Sequence, residues 1–191
     1  IRKLQEYFCH TEDLMKKDLT FHNQKCVILY LESMVKMDLL QSSVIDPLLE
    51  GKTGEIEKAV RSVEIKKTSN ISEVGTKLLN GFCVILLENQ SQVYTASVGE
   101  IEGRAIQEPN NERSIKSAHD GFVESFSSNL ALLRKRIRSP HLKVKYFTIG
   151  NITNTKVGMV YLDHLANKEI VKEVERRLTS IEIDQLYSTG D

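Results

Sequence analysis

Few residues of this chain have the types and spacing that chemistry needs, and most of those argue against it. Gly51-Lys52-Thr53 resembles the end of a phosphate-binding loop, yet such a loop needs a glycine where Asp46 stands and a strand ahead of it. Asp46 would set a negative charge against the phosphates, and Pro47 removes a cradling N–H. The segment reads instead as a glycine that ends a short helix, followed by a turn. His10, His22, His119, His141 and His164 lack the i,i+3 or i,i+4 spacing that places two imidazoles on one metal, and no cysteine lies near enough to complete a set. No metal or cofactor is expected. No nucleophile elbow surrounds Ser125 or any cysteine, so the chain is expected not to be an enzyme.

Arg134-Lys-Arg-Ile-Arg138 is a basic cluster at the predicted end of a helix, where cations oppose the negative end of the dipole. Helical geometry sets Ser125, Asn129 and Arg136 along one flank of that helix, at i, i+4 and i+11, beside its apolar stripe. They read either as an ordinary polar border of a core or as the lining of a groove. In a groove, Arg136 can fork onto a carboxylate from a ligand or a neighbouring subunit, which Lys135 cannot do bidentately.

The elements that must position these residues follow from periodicity. Lys3 to Leu19 carries apolar residues at three- and four-residue steps and predicts an amphipathic helix. Cys26 to Leu31 is a continuous apolar run that predicts a central strand. Val35 to Leu40 reads as helical, and Asp46 with Pro47 as the N-cap and first residue of a short helix ending at Gly51. Ser62 to Lys66 alternates as a strand does. Asn70 and Glu73 form a capping box for a helix that Gly81 ends, and Phe82 to Leu87 with Val93 to Val98 form a hairpin.

The polar stretch between Gly99 and Gly121 then predicts a linker. Asp120 is expected to cap a helix from Gly121 to Arg138 with the stripe Phe122, Phe126, Leu130, Leu133 and Ile137. A second hairpin, Leu142 to Ile149 with Lys156 to Leu162, is followed by a helix capped by Asn167 and a short strand near Ile181 to Ile183. The runs Phe82 to Leu87 and Val157 to Leu162 are expected to be buried strands. The fold class is therefore α/β: two small subdomains, each a mixed sheet packed by helices, at 1–100 and 121–191, joined by a linker at 101–120.

Composition sets the outer limits. The chain has 191 residues, 40% hydrophobic and 27% charged, so it can bury one or two cores and is not disordered. Lys+Arg and Asp+Glu are each 26, so no net field draws it to nucleic acid or an anionic membrane. Its apolar runs fall short of the roughly 18 residues of a membrane span, which predicts a soluble chain. Cys9, Cys26 and Cys83 are an odd count without C-x-x-C spacing, as expected of reduced, packed thiols. The chain opens on Ile1 with no leader-like segment, which reads as an excised domain. Asn70-Ile-Ser72, Asn89-Gln-Ser91 and Asn151-Ile-Thr153 match the glycosylation sequon by letters only.

Four stretches carry a family resemblance: Arg104-Ala-Ile-Gln-Glu-Pro109, His119-Asp-Gly-Phe-Val-Glu124, Asn129-Leu-Ala-Leu-Leu-Arg-Lys-Arg-Ile137, and Lys156-Val-Gly-Met-Val-Tyr-Leu162 followed by Ala166-Asn167. Together with Asp46-Pro-Leu-Leu49, these make the chain resemble, over nearly its whole length, the A subunits of GerA-type nutrient germinant receptors of spore-forming bacilli. The run Gly121-Phe122, Glu124, Asn129, Arg134 and Arg136 is the most specific part. Ser117-Ala118 stands where the family usually has Gly-Pro, a departure confined to the loop before the helix.

The resemblance implies the amino-terminal domain of a multispanning subunit in the inner spore membrane, on the spore-core side. Such a subunit works with B and C subunits and other A subunits in sensing nutrients such as amino acids or sugars and triggering germination. It adds Glu124 and Arg134 to Ser125, Asn129 and Arg136 as candidate ligand or interface residues. Two functions are open: a signalling and assembly module, or a nutrient-binding domain with its site between the subdomains.

Overall fold

Unbroken apolar character from Cys26 to Leu31 demands cover on both faces, and the strand it forms, β2 (Gln24–Leu31), is buried from Cys26 onward. The structure, a computed structural model, describes residues 1–99 and 121–185. The fold is mixed α/β, with a five-stranded sheet and a separate two-stranded sheet. Contacts divide the chain into one unit of Lys16–Ile137 and another of Ile1–Met15 with Arg138–Asp191.

This division differs from the expected 1–100 and 121–191: the first fifteen residues join the C-terminal segment, and 121–137 join the N-terminal one. Backbone bonding explains the first change. The Glu12 N–H donates to the Val144 carbonyl, and the Val144 N–H donates to the Thr11 hydroxyl. The expected linker at 101–120 lies outside the described residues.

In the larger unit, β1 (Leu14–Phe21) meets β2 through His22-Asn23, both left-handed at φ 45 and 61, as a two-residue type I′ hairpin turn requires. The strand order is β1-β2-β4-β5-β3, with β3 (Ile65–Thr68), β4 (Phe82–Leu87) and β5 (Val93–Ser97). Antiparallel pairing sets Ile28 opposite Ile85, Ile85 opposite Tyr94 and Lys66 opposite Thr95. The β4–β5 hairpin stands where it was expected; β3 starts three residues later than the alternation predicted.

Helix α5 (Ile71–Leu79) packs on β2 and β4. Its cap is a relay. The Asn70 carbonyl Oδ1 accepts from the Ser72 and Glu73 N–H groups, while the Thr68 hydroxyl donates to Glu73 and accepts from the Asn70 N–H.

Asp46 does not start a new helix. α2 (Met37–Leu40), a π turn over Gln41–Ile45 and α3 (Asp46–Glu50) run on continuously, and Gly51 at φ 58 ends them. Pro47 has no N–H to give the Ser43 carbonyl, which accepts the Arg61 N–H at 2.8 Å instead. The wider π turn sits at that gap. α4 (Ile56–Ala59) follows.

The second unit holds α1 (Arg2–Tyr7), β6 (Leu142–Ile149), β7 (Thr155–Leu162) and α7 (Lys168–Thr179). The helix expected from Lys3 to Leu19 stops at Tyr7, because Cys9 and His10 turn left-handed at φ 52 and 54. Beyond them Leu19 and Phe21 alternate with exposed Asp18 and Thr20, the period of a strand.

Leu4, Phe8, Leu142, Val144 and Ile149 are buried here. β7, expected to be buried, is only half-buried, because its sheet has two strands and α7 packs on β6. No strand forms at Ile181 to Ile183. The Ile183 carbonyl accepts the Asn151 N–H, and the Asp184 carbonyl accepts the Ile152 N–H, both from the turn between β6 and β7.

Candidate functional site

α6 (Phe126–Arg136) begins five residues later than the sequence predicted, and its lead-in explains why. Ser125, in extended conformation, is the N-cap. Its Oγ accepts the Ser128 N–H at 3.3 Å and the Ser128 hydroxyl at 2.9 Å. Asn129, one turn further on, reaches back to Val123: Oδ1 accepts the Val123 N–H at 2.7 Å, and Nδ2 donates to the Val123 carbonyl at 2.6 Å. The two bonds pair one side-chain amide with one backbone unit, as a neighbouring strand would. Residues 121–125 therefore stay outside the helix, and the expected cap, Asp120, lies outside the described residues.

The clamp holds two apolar side chains in the open. Phe122 is 67% exposed and Val123 is 58% exposed. Neither continues the buried stripe of α6, contrary to the reading of Phe122 as its first member. The stripe runs through half-buried Phe126 and buried Leu130 to Arg134, which is 0% exposed.

Arg134 belongs by sequence to the basic cluster at the helix end, yet 126, 130 and 134 step by four and so share one face. That spacing was the available signal. Lys135 and Arg136 are exposed in the same last turn, where the helix dipole favours them, and Glu124 is exposed in the lead-in. The structure thus groups Glu124, Ser125 and Asn129 at the helix start, buries Arg134, and leaves Arg136 on the surface at the far end.

The groups with hydrogen-bonding chemistry on this flank are already committed locally, Ser125 to Ser128 and Asn129 to Val123. What it leaves exposed is the pair Phe122 and Val123, with Glu124 beside them and Lys135 and Arg136 in the last turn.

A second cluster has the look of catalysis. Cys9 Sγ lies 3.4 Å from His141 Nδ1, and the His141 and His164 rings stand 4.7 Å apart. Desolvation, with Asp163 nearby, pushes the Cys9 thiol up, so it is held as the neutral thiol rather than an activated thiolate. Asp163 is itself held below the usual carboxylate range by its hydrogen bond with Lys168. Burial pushes Cys26 up to about 11 and Cys83 up to about 12. Among the described residues no group of three His, Cys, Asp or Glu side chains is set to hold a metal ion, and no helix is long and apolar enough to cross a membrane.

The family model described as Bacillus/Clostridium GerA spore germination protein matches residues 2–191. Spore germination protein XA of Bacillus anthracis is 34% identical over 153 residues, which are 80% of this chain and 30% of that protein. Spore germination protein KA of Bacillus subtilis (strain 168) is 26% identical over 171 residues, 85% of this chain and 31% of its own length. The chain thus spans about a third of the curated relatives it matches. In fold it is similar to the crystal structure of the N-terminal domain of the A subunit of the Bacillus megaterium spore germinant receptor GerK3. That match has a TM-score of 0.69 and 21% identity, and covers 95% of this chain and 70% of the other.

Proposed function

The chain belongs to the Bacillus/Clostridium GerA spore germination protein family, and from that premise we propose that it is a signalling and assembly module of a germinant receptor A subunit, with the lead-in and flank of α6 as its contact surface. The observation that carries this reading is the Asn129 clamp on Val123, which fixes the backbone beneath two exposed apolar side chains. Ordering costs are a large part of the free energy of association, so a pre-fixed apolar anchor binds better than a mobile one. Glu124 lies beside it and Arg136 stands exposed at the other end of the same helix, and the two charges select the partner.

The partners are the B and C subunits and other A subunits of the receptor. The setting is the inner spore membrane with this domain on the spore-core side, and the resemblance to germinant receptor A subunits supports both. Commitment of Ser125 and Asn129 to local bonds favours a contact surface over direct capture of a nutrient at this flank.

The test is made on the full-length subunit in spores, with receptor level and nutrient response measured together. Phe122→Ser and Arg136→Ala are expected to lower the level of the assembled receptor or to abolish the response at normal level. Spores of both variants that keep level and response at the wild-type value would overturn the reading.

A further inference from the structure

Spacing along the chain sets out no metal ligands, yet the fold of the second unit brings three of them to one place. The Asp163 N–H donates to the His141 carbonyl at 2.9 Å, one step beyond the paired ends of β6 and β7, so His141 and His164 become neighbours. Bonds from Thr11 and Glu12 to Val144 lay the segment that follows α1 along the other edge of β6. Cys9 Sγ thereby stands 3.4 Å from His141 Nδ1, and the His164 ring centre lies 4.7 Å from that of His141. We propose that Cys9, His141 and His164 bind one zinc ion, with water in the fourth position. The inference is independent of the reading of α6.

The sulfur–nitrogen spacing carries it. Zinc lies about 2.3 Å from a thiolate sulfur and about 2.0–2.1 Å from an imidazole nitrogen, and a tetrahedral angle between those bonds sets the two donors about 3.5 Å apart. A plain S–H···N hydrogen bond has a similar span, but the backbone around the cysteine points further. Cys9 and His10 are consecutive non-glycine residues in left-handed conformation, at φ 52 and 54. Such strain persists where the surroundings impose it, and it gathers at ligand sites. As they stand, no three donors among the described residues converge on one ion. His164 is exposed, so its ring can turn without opening the core, and that turn completes the set.

Asp163 is not among the ligands, because Lys168 holds it at 2.9 Å. Asp163, Lys143 and Lys168 are the charges that face the thiol. The two lysines favour the thiolate but oppose a cation, so the affinity is micromolar rather than that of a closed four-ligand site. On binding, the Cys9 S–H bond breaks, its electron pair goes to zinc and the proton leaves to solvent. The ion then ties the residue just past α1 to the start of β6 and the end of β7, a two-stranded sheet that is marginal by itself.

Titration of the 191-residue chain with cobalt(II) and zinc, with a phosphine as reductant, tests the proposal. One cobalt per chain is expected, with thiolate-to-cobalt charge-transfer absorption that zinc abolishes, and zinc should release a proton and raise the thermal midpoint. Cys9→Ser should remove the charge-transfer band. Cys9→Ser, His141→Ala and His164→Ala should each weaken zinc binding at least about tenfold, since losing a ligand costs no less than losing an outer partner of one. His10→Ala alters the exposed neighbour of Cys9 and should leave binding unchanged. His164→Ala touches an exposed side chain and keeps the fold, which circular dichroism checks. Absence of the charge-transfer band overturns the proposal, as does zinc binding that survives Cys9→Ser or His164→Ala, or that depends on His10 instead.

Discussion

The side-chain amide of Asn129 closes a two-bond ring on the backbone of Val123, six residues earlier, at 2.7 and 2.6 Å. This relationship decides where α6 begins and what its lead-in shows to solvent. Asn129→Ala removes both bonds, and because Val123 is exposed, water replaces part of each. The expected cost is about 0.5–1.5 kcal/mol in chemical denaturation, with amide exchange at Val123 accelerated and that of the α6 interior unchanged. Uniform acceleration along α6 would contradict a local clamp.

Leu130→Ala should destabilise the chain by about 2–5 kcal/mol, because the side chain is buried mid-helix. Phe126→Ala should cost less, since Phe126 is half-buried. Denaturation midpoints rank the two directly.

Arg134→Ala should cost about 2–5 kcal/mol, through the loss of a long, fully buried stem. Lys135→Ala and Arg136→Ala, exposed on the same turn, should stay within about 0.5 kcal/mol. Equal midpoints for Arg134→Ala and Arg136→Ala would show that Arg134 is not a core residue.

Gly81 and Gly99 pack backbone to backbone. A Cβ on Gly99 would stand 2.8 Å from the Gly81 Cα and 2.9 Å from the Met34 carbonyl oxygen, and a Cβ on Gly81 would stand 2.8 Å from that oxygen. Gly99→Ala is expected to cost about 1–3 kcal/mol. Gly81→Ala should cost more, because φ +79 adds backbone strain. Gly121→Ala meets nothing within 4 Å and serves as the neutral control. Thermal unfolding of the three variants checks the order.

Glu173 titrates at about 2, lowered by its hydrogen bonds with Arg176 and Arg177. A carboxyl lowered on folding adds stability above its unfolded value, near 4.5, and that contribution fades as pH falls towards 2. The pair is exposed, so the effect on stability is small. The sharper measurement is a carboxyl NMR titration, in which Arg176→Ala with Arg177→Ala should return Glu173 to the ordinary glutamate range.

Legibility followed the range of the interactions. The β4–β5 hairpin, the caps at Asn70 and Asn167 and the stop at Gly51 are written within a few residues, in apolar alternation, short polar side chains and a glycine free to turn left-handed. The lead-in of α6 misled because its decisive bond spans six residues and competes with a helical periodicity that the spacing of Phe122 and Phe126 extends. Lys3 to Leu19 misled for a related reason: spacings of three and four are compatible with a helix, a left-handed turn and a strand placed end to end.

By itself the sequence determined the α/β class, the order of most elements and the family, because local propensity and motif identity need no third dimension. Only the tertiary structure decided that residues 1–15 cluster with the C-terminal hairpin, through bonds from Thr11 and Glu12 to Val144. It also decided that Arg134 is buried while Arg136 stays in solvent. The reason is physical: burial and long-range backbone pairing depend on which surfaces meet, and two arginines two residues apart carry the same chemistry until a neighbouring surface covers one of them.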